Sequence, residues 1–348
     1  MGNRRLRYTI IGLTLLLIGG GFLEQHAATT DTKTKSTQKS AQRTQKKVVG
    51  ILQYVSHPAL DQIKAGVISG LRASGYSVGK NLTIKFQNGQ ADQSKLTTMS
   101  QQLVQEKADV LVGIATPAAQ ALANTTQTTP IVLGAVTDPV SAGLVQDMQK
   151  PCGNITGVSD QPPLASILTL ARQLIPASKT VGILYSSQEA NSKAQVATAT
   201  AAATKLGLKV IKKPVATTNE IATTVQVLAR QVDFLLLPLD NTLANAMSTV
   251  VAEADRQQLP VFPAVDTMVR QGGLATVGIN QRQLGIQTGK MVAQILSGQA
   301  RPAKMPVYTF KRGDLIINQD QAQRLGIKIH DDLAQTAKFV TTTKGATK

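Results

Sequence analysis

Short apolar runs alternate along this chain with longer stretches in which apolar residues return every three or four positions. Val48-Val49-Gly50-Ile51-Leu52, Val110-Leu111-Val112-Gly113-Ile114 and Ile131-Val132-Leu133 have strand length and are rich in β-branched residues. Between them, Leu60, Ile63, Val67 and Leu71 share one helical face ahead of Gly75. Further strands are predicted at Thr83 to Phe86, Lys209 to Lys212 and Ala275 to Gly278. Helices are predicted at Asn191 to Leu206, Glu220 to Arg230, Thr242 to Gln257 and Arg282 to Leu296.

The pattern occurs twice. Lys47-Val48-Val49-Gly50-Ile51-Leu52 returns as Lys179-Thr180-Val181-Gly182-Ile183-Leu184. Ala108-Asp109-Val110-Leu111 is echoed by Val232-Asp233-Phe234-Leu235, and Thr129-Pro130-Ile131-Val132 by Leu259-Pro260-Val261-Phe262. The offset stays near about 130 residues, as two copies of one unit with small loop changes would give. Alternating β and α segments at this spacing predict an α/β protein: two doubly wound lobes with parallel sheets and a cleft between them.

In such sheets ligands sit beyond the carboxyl ends of the strands. Those positions carry Ser56-His57-Pro58, Ala115-Thr116-Pro117-Ala118 and Thr137-Asp138-Pro139 in the first copy. The second copy offers Tyr185-Ser186-Ser187-Gln188-Glu189, Asp240-Asn241-Thr242 and Asp266-Thr267. Thr116 ahead of Pro117 places a capping hydroxyl at a helix start whose amides can hold an anion. Glu189, Asp240 and Asp266 can accept from an ammonium, so a zwitterion would bridge the two copies and make closure depend on ligand. Each group also has a local role to fill: Thr-Pro as a cap, Asp138 and Asp240 as turn residues, His57 as a first-turn residue.

The first residues change the picture of where the fold works. Arg4, Arg5 and Arg7 precede an apolar stretch from Tyr8 to Leu23, the arrangement of an export signal or signal anchor over residues 1–28. Its length of about sixteen falls short of the roughly 20 of a full span, and the charge before it sends the rest of the chain outside. Residues 29–47 are rich in Thr, Lys, Gln and Ser and form a polar linker, and 331–348 a flexible tail. Much of the net charge of +17 belongs to this leading region, and the rest is scattered without interleaved aromatics, so nucleic acid is not an expected partner. The one cysteine, Cys152, excludes an intrachain disulfide.

No P-loop, HExxH, CxxC or glycine-rich dinucleotide fingerprint is present. The chain is expected to be a binding protein without cofactor or metal, not an enzyme. A carboxylate-based enzyme acting on a small solute through Asp138 and Asp240 is the alternative from another class. A ligand-sensing repressor is disfavoured, because an export segment takes the place of its helix-turn-helix.

Tyr54-Val55-Ser56-His57-Pro58-Ala59-Leu60-Asp61, Gly113-Ile114-Ala115-Thr116-Pro117-Ala118-Ala119-Gln120 and Gly134-Ala135-Val136-Thr137-Asp138-Pro139 are long, specific strings. With Gly157-Val158-Ser159-Asp160, Pro238-Leu239-Asp240-Asn241-Thr242 and Val277-Gly278-Ile279-Asn280-Gln281, they cover nearly all of residues 48–310. The chain resembles the tryptophan ABC transporter substrate-binding proteins of Gram-positive bacteria.

The resemblance implies the type I periplasmic-binding-protein fold: two Rossmann-like lobes joined by a three-segment hinge, with lobes at 48–157 plus 281–304 and 158–280 plus 305–330. It implies an aromatic amino acid ligand, tryptophan first and then phenylalanine or tyrosine, with another small amino acid or solute as the alternative. Delivery would be to ABC permease subunits and through them to a cytoplasmic ATPase, from the extracytoplasmic face of the membrane. The cleft positions it carries over are Ser56, Thr116, Pro117, Ala118, Asp138, Glu189, Asp240, Asn241 and Asp266, and His57, Ser159, Asp160, Tyr185, Ser187 and Asn280 join them as candidate ligand-binding residues. Two departures stand out. No lipidated-cysteine site occurs around Gly19 to Ala28, and Cys152 stands where the family more usually has glycine.

Overall fold

The computed structural model describes residues 46–343; the expected export segment and most of the linker lie outside them. The first copy of the repeat supplies β1 (Lys47–Gln53), α1 (Pro58–Ala73), β2 (Leu82–Asn88), α2 (Gln93–Gln105), β3 (Val110–Ile114), α3 (Thr116–Thr125), β4 (Ile131–Gly134) and β5 (Ile155–Ser159). The second supplies α4 (Leu164–Leu174), β6 (Thr180–Ser186), α5 (Ala190–Lys205), β7 (Lys209–Val215), α6 (Ile221–Ala229), β8 (Phe234–Leu237), α7 (Asn241–Asn245), α8 (Met247–Arg256), β9 (Val261–Pro263), α9 (Asp266–Arg270) and β10 (Ala275–Gly278). The chain then returns through α10 (Gln281–Leu296), β11 (Tyr308–Thr309), β12 (Asp314–Asn318), α11 (Gln319–Arg324), α12 (Asp331–Thr336) and β13 (Lys338–Val340).

The first lobe is a six-stranded sheet in the order β11-β5-β4-β3-β1-β2, and every neighbouring pair is parallel. The second has a parallel sheet in the order β7-β6-β8-β9 and a three-stranded sheet β10-β12-β13. Within the latter β10 and β12 run antiparallel, an exception to the expected parallel pairing. Central strands are buried on both faces, which is why β1, β3, β4 and β8 read as unbroken apolar runs. Two separate cores result, one built around Ile51, Leu111 and Leu133, the other around Ile183, Leu235 and Phe262.

Helix α10, late in the sequence, belongs to the first lobe, where it lies against α1. Gly66, Gly70, Gly285 and Gly289 line the seam. A Cβ on Gly66 would strike the Arg282 carbonyl, and one on Gly285 the Ile63 carbonyl, so only glycine allows the two backbones this close.

The chain passes between the lobes after β5, after β10 and after β11. The lobe boundary expected at residue 305 moves: Tyr308 and Thr309 pair with Val158 and Ser159 on the first sheet. The first boundary shifts likewise, past Ser159. A two-residue exposed strand such as β11 has no alternation for a sequence pattern to detect.

Two further expectations are corrected. The single helix expected over Thr242 to Gln257 is broken at Ala246, whose amide is shared between the Thr242 and Leu243 carbonyls at 3.2 Å each. The described part of the expected flexible tail is ordered, since Val340 packs against Val269 and Ile316, and Asn318 Nδ2 donates to Thr342 Oγ1 at 3.0 Å. Cys152 is exposed at φ 63°, a conformation that glycine adopts freely.

Candidate ligand-binding site

The carboxyl ends of both parallel sheets face one cavity of about 30 Å³, a space on the scale of about one or two water molecules. The first lobe lines it with His57, Ala59, Leu60, Ala115, Thr116, Ala135, Thr137, Asp160 and Gln281. The second lobe contributes Asn191, Leu239, Asp240, Asn241, Ala244 and Val265. His57 Nε2 meets Asn241 Oδ1 at 3.2 Å, a buried hydrogen bond from one lobe to the other. Ala59, the second residue of α1, packs into the core of the opposite lobe.

On the first lobe the site is made largely of backbone. Strand β3 ends at Ala115, held at φ 74° and ψ 156°, and α3 begins at once with Thr116 as its first residue and Pro117 as its second. Thr116 is therefore not the expected cap: the cap position is Ala115, with no side-chain oxygen to offer. Pro117 has no amide hydrogen and Ala119 N is taken by the Ala115 carbonyl at 3.1 Å, so the amides of Thr116 and Ala118 are the ones with no side-chain cap, and the helix dipole adds positive potential at that end. Ala135, at φ 63°, gives β4 a similarly strained ending.

On the second lobe side-chain oxygens fill the helix starts. Glu189 Oε1 accepts from Thr242 N at 2.8 Å and Thr242 Oγ1 at 2.9 Å. Its Oε2 accepts from Asn241 Nδ2 at 2.6 Å and Asn241 N at 3.2 Å. Asp240 accepts from Ser186 N at 2.5 Å and caps α7 through Leu243 N at 2.9 Å. Gln195 secures the same loop from behind, accepting from Leu239 N at 2.8 Å and donating to Leu239 O at 3.0 Å.

Burial governs the proton affinities here. Asp160 is pushed from 3.8 up to about 6 by desolvation, against a hydrogen bond from Thr137. Asp240 is raised by burial and then by the neighbouring negative charge of Glu189. Tyr54 is pushed up to about 12 by burial and by the same two carboxylates. Burial lowers His57, with the Asn241 hydrogen bond acting the other way, and so favours the neutral ring.

Of the residues singled out from sequence, His57, Thr116, Asp160, Asp240 and Asn241 line the cavity. Pro117, Ala118, Ser159, Glu189 and Asp266 are buried behind it; Ser159 Oγ donates to Thr137 O at 3.0 Å, and Asp266 accepts from Thr267 N at 2.8 Å. Asp266 is pushed up to about 6, chiefly by burial. The other five are used elsewhere. Ser56 donates to Asp61 at 2.7 Å on the surface, and Ser187 to the Val215 carbonyl at 3.2 Å. Asp138 accepts from Ser141 N at 3.0 Å, Tyr185 packs on the second core, and Asn280 caps α10 by accepting from Gln283 N at 3.0 Å.

The ligand-binding candidates from sequence did not include Thr137, though it was placed at a strand end, nor Asn191, Gln281 or the apolar wall of Ala59, Leu60, Ala135, Leu239, Ala244 and Val265. Asn191 and Gln281 each stand at a helix start just past a strand end, the position that already nominated Thr116.

Comparison with known proteins identifies the family. The family described as ABC transporter substrate binding protein matches residues 48–341. A tyrosine-binding protein of Clostridioides difficile is 33% identical over 319 residues, 92% of this chain and 90% of the relative. The crystal structure of an ABC domain from Streptococcus pneumoniae in complex with L-Trp has 47% identity and a TM-score of 0.83, covering 85% of this chain and 99% of that one. The ligand-free, open structure of a substrate-binding protein with adhesive properties from Clostridium difficile has 37% identity over 85% of this chain and 100% of that one, with a TM-score of 0.67.

Proposed function

The chain belongs to the family of ABC transporter substrate-binding proteins and has the type I periplasmic-binding-protein fold, and from that premise we propose that its ligand is an aromatic amino acid, tryptophan first. The lobes part to admit it, close over it, and present the closed form to permease subunits at the extracytoplasmic face of the membrane. The role is capture and delivery, without turnover.

The observation that carries this reading is the cavity at which both sets of strand ends converge, bridged by His57 and Asn241. The open amides of α3 suit a carboxylate. The carboxylates grouped across from them suit an ammonium, and Leu60, Leu239, Ala244 and Val265 offer apolar surface to a side chain. Tryptophan and tyrosine are what the two relatives named above carry in their descriptions. The absence of an aromatic side chain from this wall favours, as a second reading, an aliphatic amino acid.

Titration of the purified full-length chain with the twenty amino acids tests both readings. Saturable one-to-one binding of tryptophan, with a smaller radius of gyration on binding, is the expected result. Preference for leucine or valine would replace the aromatic reading with the aliphatic one, and indifference to every amino acid would sink both.

A further inference from the structure

Three of the residues that line the cavity each carry a buried side-chain atom with no hydrogen-bond partner: His57 Nδ1, Asp160 Oδ1 and Asn191 Oδ1. Their residues are only 7%, 9% and 5% exposed, so each atom is held away from water at a cost unless something donates to it. Asp160 Oδ1 belongs to a carboxylate, which only accepts once ionised. Asn191 Oδ1 is an acceptor because the amide nitrogen is already committed, donating to Leu239 O at 2.9 Å.

The character of His57 Nδ1 follows from a relay behind it. Glu189 takes the Asn241 amide nitrogen at 2.6 Å, which turns Asn241 Oδ1 toward His57 Nε2. An amide oxygen cannot donate, so Nε2 carries the ring's proton and Nδ1 of the neutral ring presents a lone pair. All three unpartnered atoms are thus acceptors, and a primary ammonium brings three N–H donors.

Charge points the same way. Asp160 and Asp240 line the cavity with Glu189 behind, and a neighbouring space that shares Thr137 adds Asp138. No lysine or arginine lines either. A ligand carboxylate meets no cation there, only neutral donors: the Thr116 and Thr137 hydroxyls and the start of α3.

We propose that the cleft selects its ligand by a primary ammonium, for which His57, Asp160 and Asn191 supply the acceptors, and that the ligand's carboxylate is dispensable. The ligand class then extends from amino acids to amines such as tryptamine and tyramine, and excludes acids without an amine. This rests on the cleft being the ligand site, as proposed above, though not on the ligand being an amino acid.

Four indole compounds separate the two ideas: tryptophan, tryptamine, indole-3-propionate and tryptophan trimethylated on its amine. The chain has no tryptophan, so the indole emission reports the ligand alone. Tryptamine is expected to bind within about tenfold of tryptophan, and the last two compounds at least about 100-fold more weakly. Binding of indole-3-propionate but not tryptamine overturns the ammonium inference and leaves the amino-acid reading intact. Binding of tryptamine by a chain that takes no amino acid does the reverse. No binding in this series or its phenyl and phenol counterparts overturns both.

Asp160→Asn, which keeps the shape and removes the charge, is expected to weaken tryptophan and tryptamine at least about tenfold. Unchanged affinity for both in a variant that still melts cooperatively overturns the inference. The nitrogen-15 shifts of His57 supply a check that needs no variant. They should show the Nε2-protonated ring, and a proton on Nδ1 would remove the third acceptor.

Discussion

Helix α3 follows β3 in the first lobe, and α7 follows β8 in the second, at corresponding points of a duplicated unit. One start is bare. Ala115 offers no oxygen, and its own backbone is held at a φ of 74°. The other is closed by its own protein, with Asp240 on the Leu243 amide and Glu189 on those of Asn241 and Thr242. Duplication has copied the order of strands and helices without copying how their ends are satisfied. A helix start can serve a ligand only where the protein has left its amides unused, so the bare first-lobe end is the one open to an anion.

The largest test of this contrast is pH. Asp160 and Asp266 have native values of about 6, against an ordinary 3.8, and Asp240 is raised as well. Between about pH 4 and 6 the native state holds protons that the unfolded chain has released, so these groups make stability fall as pH rises through that window. Each unit is worth about 1.4 kcal/mol, so the loss from these groups amounts to several kcal/mol. Urea unfolding from pH 4 to 8 should show a shallower decline in Asp160→Asn than in the parent. Parallel curves would mean that Asp160 is better solvated than its surroundings imply.

Next in size is Glu189→Ala, which strands buried amides at the start of α7 and should cost about 3 kcal/mol in the same assay. A loss below about 1 kcal/mol would show that the closed start does not depend on that carboxylate. Ala115→Gly acts on the bare start and should gain about 1 kcal/mol, since glycine takes this backbone region without strain. Thr116→Val is the smallest, within about 0.5 kcal/mol, because its hydroxyl is not a cap. A cost of a full cap there would erase the asymmetry.

The repeat, the strand runs and the direction of the cleft were legible because burial on both faces of a parallel sheet writes itself into contiguous apolar residues. The site was legible only to the level of which loops. Ser56 and Glu189 occupy equivalent-looking strand ends, yet the first turns outward to Asp61 and the second inward to another loop. Side-chain direction there is set by partners distant in sequence, about 50 residues away for Glu189, which no local pattern encodes. The small wall residues Ala59, Ala135 and Ala244 were silent for the opposite reason, being indistinguishable from core alanines until the lobes meet.

The glycine seam between α1 and α10 has a consequence for how the protein comes into being. The first helix of the fold rests on one that ends at Leu296, so the first lobe lacks a wall of its core until nearly the whole chain has been synthesised. The second lobe's four-stranded sheet is contiguous in sequence from β6 to β9, but Ile317 of β12 and Ala322 of α11 belong to its core, so it waits longer still. A nascent chain of this design should therefore stay protease-sensitive in both halves until nearly all of it has left the ribosome.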